Sequence, residues 1–485
     1  MAPVFFRKAQ LWRRDVMIDG RAFALIVVVG GLFALQSSNN LDAMKLAYLL
    51  LVGVAVAGAA VSARWWLADQ RAAIATPWLI TSCAYAVLVV VSAAVSRTRG
   101  TPTDFWLRDA ASYALFAAAL LVALACARSA SRRWIIVVFA ICGALASVSF
   151  TIEWLGRRDI AHLPIDRIVL PSGSLASGLV ALASALAITA ALRRGWWAAA
   201  AGVVLGLFFI TGTRSTLLLL AVPIGVSLVA GRPWQRGVQT VLTSGMVAAA
   251  IFVATQSGIA IANGSFPLHL GPSTNTISPS PNATSQPWPT ATPNNELSGR
   301  INGIGRLIAD PGSDPSLQSR WAQTEEAWRA FLTSPIVGVG AGYSFEWTEA
   351  PGGTHKGFSM DTPLVYLAKF GLIGLIPLAS FVAAYAWLAI QLRRCGPRVS
   401  SELLIVVGYA IVLVIAVALG APIEDKGTSF ALIFVVAVGA HALVHNRASE
   451  PAAARVAVGE PKGASGVERA RLGHHSRGKT QDRGG

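Results

Sequence analysis

Charge is what this chain has least of. Asp, Glu, Lys and Arg make up 13% of its 485 residues, against about a quarter in an ordinary soluble domain. So little charge cannot cover a water-facing surface around a large core, and this excludes a conventional soluble enzyme. Cysteine is equally sparse. Cys83, Cys126, Cys142 and Cys395 are scattered, three of them inside apolar runs or at their ends. They lack metal-ligand spacing and do not make a disulfide framework; small core residues is the expected role. No Walker motif, no GxGxxG in a βαβ setting and no HExxH occurs, so the chain carries no ATPase module and no recognisable cofactor or zinc motif.

Apolar residues fill that space. They make up 54% of the chain and recur in runs of roughly 20, each long enough to cross a bilayer as a helix. The expected spans are 22–37, 43–63, 73–96, 109–127, 134–155, 171–192, 196–213, 215–231, 237–262, 362–392, 401–423 and 427–445. The fold class is therefore all-α and polytopic, with about twelve membrane helices and one long loop. The first run follows a basic start, like a signal peptide, but no small-x-small site ends it cleanly, so it is taken as a first span.

Lys and Arg orient the chain. With the N-terminus in the cytoplasm, the cytoplasmic segments before the tail hold 17 Lys and Arg, and the short outer loops hold nine. The opposite orientation inverts that excess, against the positive-inside rule. Both termini are then cytoplasmic and the loop is extracytoplasmic. The organisation becomes a cytoplasmic N-terminus at 1–21, nine spans over 22–262, the outer loop at 263–361, three spans over 362–445 and a disordered basic tail at 446–485. The formal charge of +16 fits such loops and contact with lipid headgroups; with no fold to present it, it does not point to nucleic acid.

The outer loop has two halves. Residues 263–295 are rich in Pro, Ser, Thr and Asn and are expected to be disordered. Asp314-Pro315 then signals a helix start, and Ser316 to Thr333 is an amphipathic helix with Trp321, Trp328 and Phe331/Leu332 on one face. Glu325 and Arg329 are spaced to pair. Pro335 ends the helix, and GVGAG makes a tight turn. An irregular segment leads from there to the next span.

Several polar residues can carry chemistry. Arg214, in TGTRSTLLLL, stands where two spans nearly touch; it is either a snorkelling helix-end residue or a grip on a substrate anion. Arg320 opens the loop helix. His355 and Lys356 lie in GGTHKGFSM, and Asp361 stands just before the next span. His355 is a polar surface residue or a general base; Asp361 is a helix cap or a base. Arg157 and Arg158 join Lys356 as candidates for an outward basic vestibule. Glu424 and Asp425, next to Lys426, are loop charges or, less simply, a metal site; hard-metal sites usually take more oxygen ligands than this pair offers.

The ordered set TGTRSTLLLL, SRWAQTEEAWRAFLTSPIVGVGAGYSF and LVYLAKFGLIG resembles the O-antigen ligase and polymerase superfamily of bacterial envelope glycan enzymes. Arg214, Arg320 with Pro335, Gly338 and Gly340, and Gly371 with Gly374 match that family's pattern in order, over roughly Gly195 to Leu392. The resemblance implies a GT-C-like architecture in the bacterial cytoplasmic membrane. It implies an enzyme that acts on glycan linked to undecaprenyl or another polyprenyl diphosphate, with a glycan or lipid acceptor and neither cofactor nor metal. Arg214 and Arg320 would bind the diphosphate. Where the family carries its His, this chain has Met360 followed by Asp361, and His355 lies five residues earlier, so the base is His355 or Asp361, or this branch has lost it. Two other classes fit the same scaffold: a transporter or flippase for an anionic solute or lipid, and a non-catalytic envelope assembly protein.

Overall fold

The computed structural model describes residues 71–129, 174–193, 196–210, 214–230, 234–262, 315–349, 353–419, 424 and 426–458, with isolated helical positions between 50 and 66 and between 135 and 139. The expected span 22–37, most of 43–63 and of 134–155, the Pro/Ser/Thr-rich stretch 263–295 and the tail beyond 458 lie outside the described residues, as do Arg157, Arg158 and the side chain of Arg214.

The described chain is almost wholly helical. Helices α1 (Ala72–Thr98), α2 (Thr103–Ser129), α3 (Ser174–Arg193), α4 (Trp197–Ile210), α5 (Arg214–Ala230) and α6 (Trp234–Ala262) cover six expected spans. Five helices among the described residues are long and apolar enough to cross a membrane: Ala72–Thr98, Thr103–Ala127, Leu372–Arg394, Ser400–Val417 and Thr428–Asn446. The protein is a multi-pass helical membrane protein.

The loop helix α7 runs Pro315–Thr333, with Pro315 as its first residue, the position where the missing N–H costs nothing. The segment expected to be irregular is a β-hairpin instead. Strands β1 (Phe345–Glu349) and β2 (Gly353–Gly357) pair antiparallel, with Trp347 opposite His355 and Glu346 opposite Lys356. The alternation in FEWTE and the Pro351-Gly352 pair between the strands are the hairpin signal that the reading passed over.

The expected span 362–392 is divided. Helix α8 covers Leu364–Phe370, Gly371 breaks it with φ 59° and ψ −157°, a 3₁₀ turn follows at Leu372–Gly374, and α9 continues over Leu375–Arg394. An L-residue is strained at that φ. The membrane-length helix therefore begins after the break, and α8 belongs to the loop assembly. A 3₁₀ turn over Gly396–Val399, α10 (Ser400–Leu419) and α11 (Lys426–Val458) complete the described chain; α11 runs past the expected span end at 445, so the start of the tail expected to be disordered is helical.

Helices α2 and α11 are the central pair; nearly all of the apolar window of α11 is buried. They pack on each other, α11 also on α3, and α1 on α2 and α9. Alanine-rich faces on α2 and α3 permit this close approach. The rings of Tyr85, Tyr113, Phe116, Tyr366, Phe370 and Phe381 fill the space between α1, α2, α8 and α9. Helices α4 and α6 run parallel: a Cβ on Gly202 would meet Ser244 and Val247, and one on Gly206 would meet Ala248 and Ile251. Helix α5 packs against α3, α6 and α10, and Arg214 is its first residue.

Candidate functional site

The site is built on two glycine-containing turns hydrogen-bonded to each other. After α7, Pro335–Gly342 folds back against α8 and the 3₁₀ turn. The amide of Val339 donates to the Ala368 carbonyl (2.8 Å), Gly340 to Lys369 (2.9 Å), Leu372 to Pro335 (2.8 Å) and Ile373 to Ile336 (3.1 Å). These bonds satisfy backbone groups that two non-helical turns would leave open. The approach leaves no room for side chains. A Cβ on Gly338 would lie 2.2 Å from the Lys369 carbonyl oxygen, and one on Gly371 would lie 2.4 Å from that of Ile336. Gly338, Gly340 and Gly342 all have positive φ.

The same turn docks on the α1–α2 corner. The Ser96 hydroxyl donates to the Ala341 carbonyl (2.6 Å), and the Gly342 amide donates to Asp109 Oδ2 (2.7 Å). Phe358 packs against Phe105, with the Arg108 guanidinium 5.8 Å from its ring centre. The loop assembly and the α1–α2 corner thus occupy one end of the bundle.

Beneath the turns lies a buried charge cluster. Lys369 Nζ donates to Asp109 Oδ1 and to Glu424 Oε1, each at 2.7 Å. The Tyr113 hydroxyl donates to Glu424 Oε1 (2.7 Å), and the Ser359 hydroxyl donates to Glu424 Oε2. The Lys369 side chain has no exposure and the two carboxylate side chains have under a tenth. Burial alone would lower the Lys369 pKa; the Glu424 and Asp109 carboxylates more than offset it and hold the ammonium above its ordinary range. The cluster joins four parts of the chain: α2, the hairpin exit, α8 and the segment before α11.

The sequence reading missed Lys369 and Asp109 and took Glu424 as a loop charge or metal residue. Lone ionisable residues set in apolar runs, as in LVYLAKFGLIG and WLRDAASYALF, were the available signal.

The proposed site residues divide into groups. Arg320 and Asp361 flank one seam. Gln323 Oε1 accepts the Asp361 amide (2.6 Å), and the Thr324 hydroxyl lies 2.7 Å from the Arg320 carbonyl, to which it donates, and 3.1 Å from the Thr362 hydroxyl. Arg320, Gln323 and Thr324 are three and four residues apart, so they share a helix face. Asp361 is exposed and does not cap α8. Pro363 holds that position without a side-chain cap, and Thr362 Oγ1 accepts the Leu364 amide at 3.4 Å.

His355 lies on β2, opposite Trp347. Its ring stacks on Trp347 with centres 5.9 Å apart. Lys356 pairs across the hairpin with Glu346 at 3.0 Å, both more than half exposed, an interaction worth little in water. Arg329 pairs with Glu325 at 2.5 Å, as its spacing predicts. Among the described residues, no group of three or more His, Cys, Asp and Glu could hold a metal ion.

No curated protein matches this chain. Residues 199–379, from α4 to the first turns of α9, match the family model for O-antigen ligase. That segment contains Arg214, Arg320, His355, Asp361 and Lys369, while Asp109 and Glu424, which hold Lys369, lie outside it. Over that segment, the chain is similar to the O-antigen ligase family.

Proposed function

We propose that this protein is a membrane glycan ligase or polymerase that takes its donor from a polyprenyl diphosphate at the outer face of the cytoplasmic membrane. Both termini are cytoplasmic in this reading, about twelve helices span the bilayer in a GT-C-like arrangement, and the loop 263–361 is extracytoplasmic.

The observation that carries the reading is the seam between α7 and residues 361–362. It brings the backbones of Arg320 and Asp361 to one hydrogen-bonded junction, at the bundle end where the loop docks. Arg320, with Arg214 from the start of α5, supplies fixed positive charge for a diphosphate. Asp361 is the favoured base, because the seam holds its backbone next to Arg320, whereas His355 is stacked on Trp347 in the hairpin.

In the transfer, an acceptor hydroxyl oxygen bonds to the anomeric carbon while the bond from that carbon to the diphosphate oxygen breaks. The hydroxyl proton passes to Asp361. The electron pair leaves with the polyprenyl diphosphate, and Arg214 and Arg320 stabilise the charge that develops there. The donor bond itself drives the reaction.

The test replaces Arg214, Arg320, His355 and Asp361 singly and follows the chain length and attachment of surface glycan. Loss in both Arg variants and in Asp361→Asn supports the reading. Activity that survives in Asp361→Asn and disappears in His355→Ala transfers the base to the hairpin.

A further inference from the structure

The apolar face of α7 is turned away from the protein. The sequence places Trp321, Trp328 and Leu332 on one stripe, and such a stripe ordinarily seeks a core. Here the core is met by small residues on the other side, Ala327 and Ala330, with Gln323 beside them. Trp321 is 76% exposed, Trp328 46% and Leu332 58%. At about 100° per residue, Leu317, Trp321, Trp328 and Leu332 form a band running the length of the helix. Three apolar side chains this exposed are costly in water.

The band continues onto the membrane-spanning surface. Ile336 follows α7 and is 63% exposed. Hydrogen bonds from Leu372 and Ile373 to Pro335 and Ile336 join it to the start of α9. There Leu372, Leu375 and Ile376 are exposed in turn, on a membrane-length helix with only a third of its apolar window buried. One apolar surface therefore runs from the lipid-facing side of α9 along α7, with the charged pair Glu325 and Arg329 on its flank.

We infer that α7 is an interfacial helix, lying in the plane of the membrane with Trp321, Trp328 and Leu332 set into the boundary between headgroups and acyl chains. Trp is favoured at that depth because its ring is apolar and its N–H is polar, and helices of this kind bury their apolar face by about 5–10 Å. The occupant of the band is bilayer lipid. Arg320, on the other flank, then sits at headgroup level, the depth at which the phosphates of a lipid-linked donor also lie. The inference rests on the multi-pass fold and the exposed band; it stands whether or not the chain transfers glycan.

The experiment replaces the four native cysteines, introduces single cysteines at Trp321, Trp328, Leu332 and Arg329, and attaches a nitroxide to each. The protein is reconstituted in phosphatidylcholine–phosphatidylglycerol vesicles, with a label at Ile376 to calibrate the lipid environment. Collision with oxygen, which partitions into lipid, is compared with collision with a water-soluble nickel chelate. The expected result is an oxygen-to-nickel ratio several-fold higher at 321, 328 and 332 than at 329, approaching that at 376. Equal ratios at all four α7 positions would overturn the inference by placing the band in water. Exclusion of both reagents from 321 and 328 would overturn it too, by showing the band covered by protein, either residues 263–314 or a second copy of the chain.

Discussion

Lys369 and Glu424 meet in a buried contact, Nζ to Oε1 at 2.7 Å, and tie the segment that matches the O-antigen ligase model to a part of the chain outside it. The ammonium is shared with Asp109 on α2. The loop that carries Arg320 and Asp361 is therefore held from below by charge as well as from the side by the paired glycine turns.

Removing the ammonium should release that hold. Lys369→Met leaves two buried carboxylates facing each other, and a broken buried pair costs about 3–5 kcal/mol. Thermal unfolding in detergent should show a clear loss of stability. The double variant with Asp109→Asn should recover part of it, since it removes one of the uncompensated charges. Equal stability of Lys369→Met and the native protein would contradict a structural role for the cluster.

The cluster also sets an expectation for pH. The folded Lys369 pKa is raised, so its contribution is fully present below the unfolded lysine value of about 10.4 and is lost as pH rises through the folded pKa. Between pH 7 and 9, unfolding temperatures of native protein and Lys369→Met should stay separated by a constant gap as far as this group is concerned. The gap should close only in strong alkali.

Gly340→Ala tests the turn pairing. The left-handed backbone alone costs an alanine about 1–2 kcal/mol, and its Cβ would fall 2.5 Å from Ser96 Oγ. The variant should lose activity with modest loss of overall stability, because the turn and not the helical core is displaced. The double variant with Ser96→Gly should recover part of the loss; a single variant with native activity would show that the docking on α1 is dispensable.

Arg320 and Asp361 separate charge from chemistry. Arg320→Ala should reduce glycan transfer by about 10²–10³-fold, the usual effect of removing one oxyanion-stabilising group. Arg320→Lys should fall between, since it keeps the charge and loses the bidentate geometry. Asp361→Asn should cost about 10²–10⁴-fold in glycan transfer.

Sequence periodicity carried most of the helices, because an apolar run near 20 residues has few fates other than a span. It placed α7 to within a residue and the Glu325–Arg329 pair on it. It missed the break in the span 362–392, because Gly371 sits inside a largely apolar run and its need for space comes from Ile336, which approaches from 35 positions earlier in the chain. The charge cluster was hidden for the same reason. Asp109, Lys369 and Glu424 are 260 and 55 positions apart along the chain, and each alone looks like a helix-end charge. The outward turn of Trp321 and Trp328 was hidden as well, since an apolar stripe gives the same pattern whether it faces protein or lipid.

The most direct measurement of the central claim is surface glycan in cells whose only copy of this protein is Arg320→Ala, present in the membrane at native level. The account predicts loss of the long or attached glycan with accumulation of lipid-linked donor. Glycan of native length and attachment would contradict it.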